Sequence, residues 1–223
     1  LSCGAETVSL FGKCSTLHVD EVLRCSREEN LRIIRESVAF LTKRGRRVWF
    51  DAEHFFDGFA LDEAYAMDCL GEAVAGGASA LVLCDTNGGT LPTGIGRVTK
   101  QVAERFDVTI GIHCHNDCGL ATAGTLAAVE AGATMVQGTM GGIGERCGNA
   151  DLTTVIPVLE LKMGIRCLPE GRLALLTHTA RTVTEVMNLS PSDRAPFVGH
   201  AAFAHKGGMH IDGVIKEPRT FEQ

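Results

Sequence analysis

Five times along the chain a short apolar or β-branched run gives way to a polar loop and then to a longer amphipathic stretch. The runs are Thr7–Phe11, Arg47–Phe50, Ala80–Leu83, Val108–Ile112 and Thr134–Gln137, and each predicts a strand. The stretches between and after them predict helices centred on 20–43, 61–75, 93–106, 119–131 and 151–163. In the first of these, Val22, Leu23, Leu31, Ile34, Val38 and Leu41 recur near helical spacing. Gly45, Gly76-Gly77 and Gly132 follow helices as C-caps do. Strands alternating with helices in this way imply βαβ units and a parallel sheet.

Polar residues stand just beyond each run: Lys13, then Asp51 and Glu53, then Asp85 and Thr86, then His113 and His115, then the glycine-rich segment 138–149. Side chains at the carboxyl ends of parallel strands suit a (β/α)8 TIM barrel or an open doubly wound sheet. The barrel fits better, because an open sheet would concentrate such residues at one switch point. A whole barrel needs eight strands and typically about 250 residues. The expectation is therefore an incomplete α/β barrel, roughly its last five units, over residues 1–165. Three units are expected upstream of Leu1, where Leu1-Ser2-Cys3-Gly4 opens without Met. Beyond 165 the pattern changes. Arg172–Leu189 reads as one more helix and Pro191–Gln223 as a glycine- and histidine-rich tail, so 166–223 is expected to be a post-barrel linker subdomain.

Composition removes whole classes of function. The net charge of −6, with 45% hydrophobic and 22% charged residues, argues against nucleic acid or an anionic membrane as partner. No apolar run approaches the roughly 20 residues that span a bilayer. Nine cysteines without a CxxC pair read as free thiols in a cytoplasmic protein, most of them small buried side chains.

The densest chemistry lies in Ile110-Gly-Ile-His113-Cys-His115-Asn116-Asp117-Cys-Gly119. Alternation along a strand puts His113 and His115 on one face, which is half of a site for a divalent first-row ion. The plainer reading is a pair of histidines hydrogen-bonded in a core. Gly138–Asn149 is neither a Walker A loop nor a dinucleotide fingerprint. Its Asn149 is a candidate third, oxygen ligand; alternatively Asn149 or Asp151 caps the next helix. Glu53 is a candidate general base or its orienter, whereas Asp51 suits a structural salt bridge at least as well. Asp85-Thr86-Asn-Gly-Gly-Thr90 could grip a carboxylate or simply turn from strand to helix. In the tail, His200, His205 and His210 match no tight zinc spacing. One of them as an acid/base is the sharper reading.

Together these segments resemble the 2-isopropylmalate synthase and homocitrate synthase family of Claisen-condensing metal enzymes. His113–Ala123 matches its HxH[ND]DxGxA signature. Asp51-Ala-Glu53-His-Phe-Phe-Asp-Gly, Leu83-Cys-Asp85-Thr86-Asn-Gly-Gly-Thr-Leu-Pro, Gly144-Glu-Arg-Cys-Gly-Asn149-Ala and Ala204-His-Lys-Gly-Gly-Met-His210 look most like its citramalate synthase branch. The resemblance implies a barrel that condenses acetyl-CoA with pyruvate to (R)-citramalate and CoA, a step of isoleucine biosynthesis. Related readings are the same reaction on another 2-oxo acid, giving 2-isopropylmalate or homocitrate, an acyl-CoA lyase, or an inactive fragment. The resemblance also implies a divalent ion (Mn2+, Mg2+ or Zn2+) held by His113 and His115 with Asn149, and Thr86 on the 2-oxo acid's carboxylate. It makes Glu53 and His210 catalytic, with His210 reaching a second subunit's site in a homodimer. The family's Arg-Asp pair on the first strand has no counterpart in these 223 residues, so the metal shell is expected to be incomplete.

Overall fold

The computed structural model describes residues 3–221. Strands β1 (Thr7–Lys13), β2 (Arg47–Glu53), β3 (Ala80–Asp85), β4 (Thr109–Cys114) and β5 (Met135–Gln137) form one sheet in the order of the chain. Every neighbouring pair is parallel. A strand order that never reverses has no switch point, so it is a stretch of (β/α)8 barrel and not a doubly wound sheet.

All five expected strands are present, and four run past the apolar residues that announce them. β2 continues through Asp51 to Glu53, and β3 ends on Asp85. Backbone pairing with the neighbouring strand carries these polar residues into the ladder, where composition alone would have ended it.

Helices Arg27–Thr42, Glu63–Gly76, Pro92–Arg105 and Ala121–Glu130 follow β1 to β4. The first is shorter than expected, because residues 16–23 form a short helix and a wide π turn that stops at Arg24 in the left-handed region (φ 53°). Ser26 then restarts the chain, its hydroxyl accepting from the Glu29 N–H at 3.1 Å. An additional helix, Phe55–Leu61, had no separate signal in the sequence. Its Phe55, Phe56 and Phe59 are buried on one face.

Phe50 lies with Ile33 and Ile34 on the side of helix Arg27–Thr42. Val48, Phe50 and Ala52 are fully buried, so by alternation Asp51 and Glu53 point to the opposite face of the sheet. Helices Arg27–Thr42 and Glu63–Gly76 lie close because Gly76 faces Val38; a Cβ there would sit 2.8 Å from the Val38 side chain.

The chain divides into two compact units. The first runs to Thr139 and includes Gly144–Ala150; the second comprises Met140–Ile143 and the chain from Asp151 onward. The second unit contains helix Leu152–Pro157 with a wide turn after it, a 3-10 turn Arg172–Leu175 leading into helix Leu176–Val186, and helix Gly208–Lys216. That last helix lies in the tail where no regular element was expected. No described helix is long and apolar enough to cross a membrane.

Candidate active site

The inner face of the sheet collects its polar residues in register. Phe11 pairs with Asp51, Lys13 with Glu53, Cys84 with His113, and His113 with Gln137. Beyond β4 the backbone continues to His115, whose N–H donates to the Asp85 carbonyl at 3.2 Å and whose backbone bridges Asn149 antiparallel. The Ala150 N–H donates to the Cys114 carbonyl at 3.0 Å, and the Asn116 N–H donates to the Gly148 carbonyl at 2.9 Å. These bonds lay Asn149 beside the His113-x-His115 run.

The imidazoles of His113 and His115 lie 5.1 Å apart, inclined by 60°. His113 Nδ1 stands 3.0 Å from Gln137 Oε1. His115 Nδ1 is buried without a hydrogen-bond partner. Burial, then the neighbouring His113 and Arg146, hold the His115 imidazole below its ordinary value. It is therefore biased toward the neutral form that binds metals. An orphaned ring nitrogen beside a second imidazole and an amide suits a divalent first-row ion in donor chemistry. Among the described residues no group of three or more His, Cys, Asp or Glu is placed to hold an ion, so these side chains make part of a shell.

Glu53 is paired with Lys13, Oε2 to Nζ at 2.7 Å. Thr86 Oγ accepts from the His54 N–H at 2.8 Å, which leaves its own hydroxyl proton to donate. His54 takes a left-handed backbone (φ 55°) and stacks on His18 at 3.8 Å. Arg146 clamps the loop: Nε and an Nη meet the two Asp117 carboxylate oxygens at 2.8 and 3.0 Å, and the Thr86 carbonyl accepts from Arg146 at 2.6 Å. The hydrogen bonds from Arg146 hold the Asp117 carboxyl below its ordinary value. Buried Asp85 closes its turn by accepting from the Thr90 hydroxyl at 2.8 Å, and burial raises its carboxyl.

Of the residues singled out from sequence, Glu53, Thr86, His113, His115 and Asn149 lie in the first unit, at the carboxyl ends of β2, β3 and β4 and on the loop laid beside β4. His210 lies in the second unit on helix Gly208–Lys216, its ring 5.2 Å from Phe221 and 6.4 Å from His205. Asp51, for which a structural salt bridge was one reading, accepts from Ser9 at 2.7 Å and from Gln137 at 3.1 Å. Asp151 rather than Asn149 caps the following helix, accepting from the Thr153 N–H at 2.8 Å. Gln137 escaped notice because it ends an apolar run. Its place beside His113 shows only in the register of the sheet.

The family model described as HMGL-like matches residues 1–189. The chain belongs to the HMGL-like family. It is 50% identical to the (R)-citramalate synthase of Synechocystis, in an alignment covering 100% of this chain and 42% of that protein. It is likewise 50% identical to the (R)-citramalate synthase of Aquifex aeolicus, covering 98% of this chain and 42% of the relative. Among solved structures, hydroxymethylglutaryl-CoA lyase from Pseudomonas aeruginosa superposes with a TM-score of 0.69 at 20% identity, over 85% of this chain and 65% of that one. That likeness carries the barrel fold alone. The chain spans about two fifths of the length of the curated relatives it matches.

Proposed function

We propose that this chain supplies part of the active site of an acyltransferase that condenses acetyl-CoA with pyruvate to give (R)-citramalate and CoA. The observation that carries the reading is the meeting of the His113/His115 pair, Glu53 and Thr86 at neighbouring strand ends, in a chain half identical to two (R)-citramalate synthases. In this reading His113 and His115, with Asn149 beside them, hold a divalent ion. Such an ion, Mn2+, Mg2+ or Zn2+, supplies Lewis-acid polarisation of a keto group. The Thr86 hydroxyl donates to the substrate carboxylate, and Arg146 keeps the Thr86 loop in place through its bonds to Asp117 and the Thr86 carbonyl. Glu53 works on the proton that leaves the thioester methyl, and Lys13 pairs with it at 2.7 Å. The carbanion so formed adds to the keto carbon of pyruvate, and water then cleaves the thioester to release the thiol. His210 is the second acid/base group in this proposal, in an assembly of two subunits acting in the cytoplasm. Residues 1–165 are proposed as the catalytic barrel segment and 166–223 as the post-barrel linker.

A chimera tests this directly. The matching segment of the Synechocystis enzyme is replaced by this chain, and thiol release is followed with acetyl-CoA and each 2-oxo acid in turn. Pyruvate-dependent release, abolished by His113→Ala, is the expected result. A folded chimera that uses only a longer 2-oxo acid, or none, would overturn the reading.

A further inference from the structure

Three hydrogen bonds on the inner face of the sheet connect four strands in a line: Ser9 on β1, Asp51 on β2, Gln137 on β5 and His113 on β4. We infer that Asp51 and Gln137 are positioning residues that set the tautomer of His113, and thereby choose which of its nitrogens faces a metal ion. The inference rests on the metal reading above and adds a device that the motifs do not contain.

The direction of every bond follows from the chemistry of its ends. An ionised carboxylate only accepts, so both Ser9 Oγ (2.7 Å) and Gln137 Nε2 (3.1 Å) donate to Asp51. An amide that spends its NH2 on Asp51 presents its carbonyl on the other side. That carbonyl oxygen is 3.0 Å from His113 Nδ1. Two acceptors do not bond, so His113 Nδ1 carries the proton and the lone pair lies on Nε2. The flipped amide would set its carbonyl against the Asp51 carboxylate, acceptor to acceptor, and is excluded by the same reasoning. The charge on Asp51 therefore reaches His113 through the orientation of one amide. A metal-bound histidine with its second nitrogen tied to a fixed acceptor is held in ring orientation as well as in tautomer.

The register explains why these residues meet. Gln137 is the direct β5 partner of His113. Asp51 lies two strands away from β4, with β3 between, and the face at that level carries the small side chain of Val82, the β3 partner of Asp51. The Gln137 side chain spans both β4 and β3 to reach Asp51, passing the level where side-chain-free Gly111 and small Val82 stand in register with Asp51.

The test uses the 223-residue chain without metal, 15N-labelled at histidine, at a pH well above the ordinary histidine value of about 6.5. Long-range proton–nitrogen correlations report which ring nitrogen is protonated. Zn2+ and Mn2+ affinities are then measured by calorimetric titration. We expect His113 as the Nδ1–H tautomer in the parent chain. In Asp51→Asn, whose amide can meet Gln137 with either end, the tautomers should mix, and in Gln137→Leu the preference should be lost. Both variants should bind the ion about 10- to 100-fold more weakly, the usual cost of losing a partner behind a metal ligand. A parent chain with His113 as Nε2–H overturns the inference, and that result does not depend on how well either variant folds. An Asp51→Asn chain that binds Zn2+ as tightly as the parent, with its tautomer unchanged, overturns it as well. If the parent shows the Nδ1–H tautomer and the variants disturb it, yet no ion binds, the metal reading fails and takes the positioning role with it. The two failures are thus told apart.

Discussion

The two compact units bury their apolar residues very differently. In the first, Leu70, Leu81, Leu83, Phe50, Phe55 and Ile112 are wholly inaccessible, β2 alternates buried and half-buried positions and β3 is buried throughout, although Phe11, Leu61 and Leu91 stay exposed. In the second, Val155, Leu159, Leu176 and Ala180 are buried, while Val186, Phe203, Met209 and Ile215 stay exposed. The contrast follows from architecture. A parallel sheet backed by helices gives every strand one continuous apolar face to bury, whereas short helices linked by irregular chain have a stripe each and little to cover it. Functional geometry follows the same division: the hydrogen bonds that align His113, His115 and Asn149 are made on the rigid sheet.

This contrast can be broken experimentally. The single tryptophan, Trp49 on β2, reports unfolding of the first unit by fluorescence. Leu70→Ala should lower the stability read at Trp49 by about 2–5 kcal/mol in urea titrations, because the cavity it leaves is enclosed. Ile215→Ala, at a position 77% exposed, should change stability by less than about 0.5 kcal/mol. Equal losses at the two positions would erase the distinction. Helix caps should behave alike in both units, since a cap is a local device. Asp62 accepts from the Tyr65 N–H at 3.0 Å and Asp151 from the Thr153 N–H at 2.8 Å, so Asp62→Ala and Asp151→Ala should each cost about 1 kcal/mol by circular dichroism melts.

The smallest effect expected is one of pH. Burial, then His54 and Lys13, hold the His18 imidazole below its ordinary value. With the folded value depressed, the unfolded chain binds more protons between the two values, so stability rises with pH across that window and is lost on acidification below about 6.5. His18→Gln should flatten that slope in urea midpoints measured on either side of the window. A slope that stays unchanged would remove His18 as its source.

The signals legible in the chain were those with a period or a spacing. The strands showed as β-branched runs, the first helix as a 3.6-residue stripe, and the histidine pair as alternate residues on a strand. Helix Phe55–Leu61 was invisible because its seven residues span barely two turns, too short a stretch for the spacing of its three buried phenylalanines to stand out. The role of Asp51 stayed open in the sequence because a carboxylate at a strand end looks alike whether it meets a lysine or an amide; the structure gives it Ser9 and Gln137.

What the sequence determined by itself is the parallel β/α order and the identity of the residues at each strand end, because both follow from local periodicity. What only the tertiary structure decided is partnership. Gln137 meets Asp51 across β4 and β3, Arg146 clamps Asp117 and the Thr86 carbonyl, and Asn149 lies against His115. These pairs are separated by up to 86 residues in the chain. Their contacts exist only once the sheet has curved and the loops have closed over its ends, and no spacing rule along the chain encodes that closure.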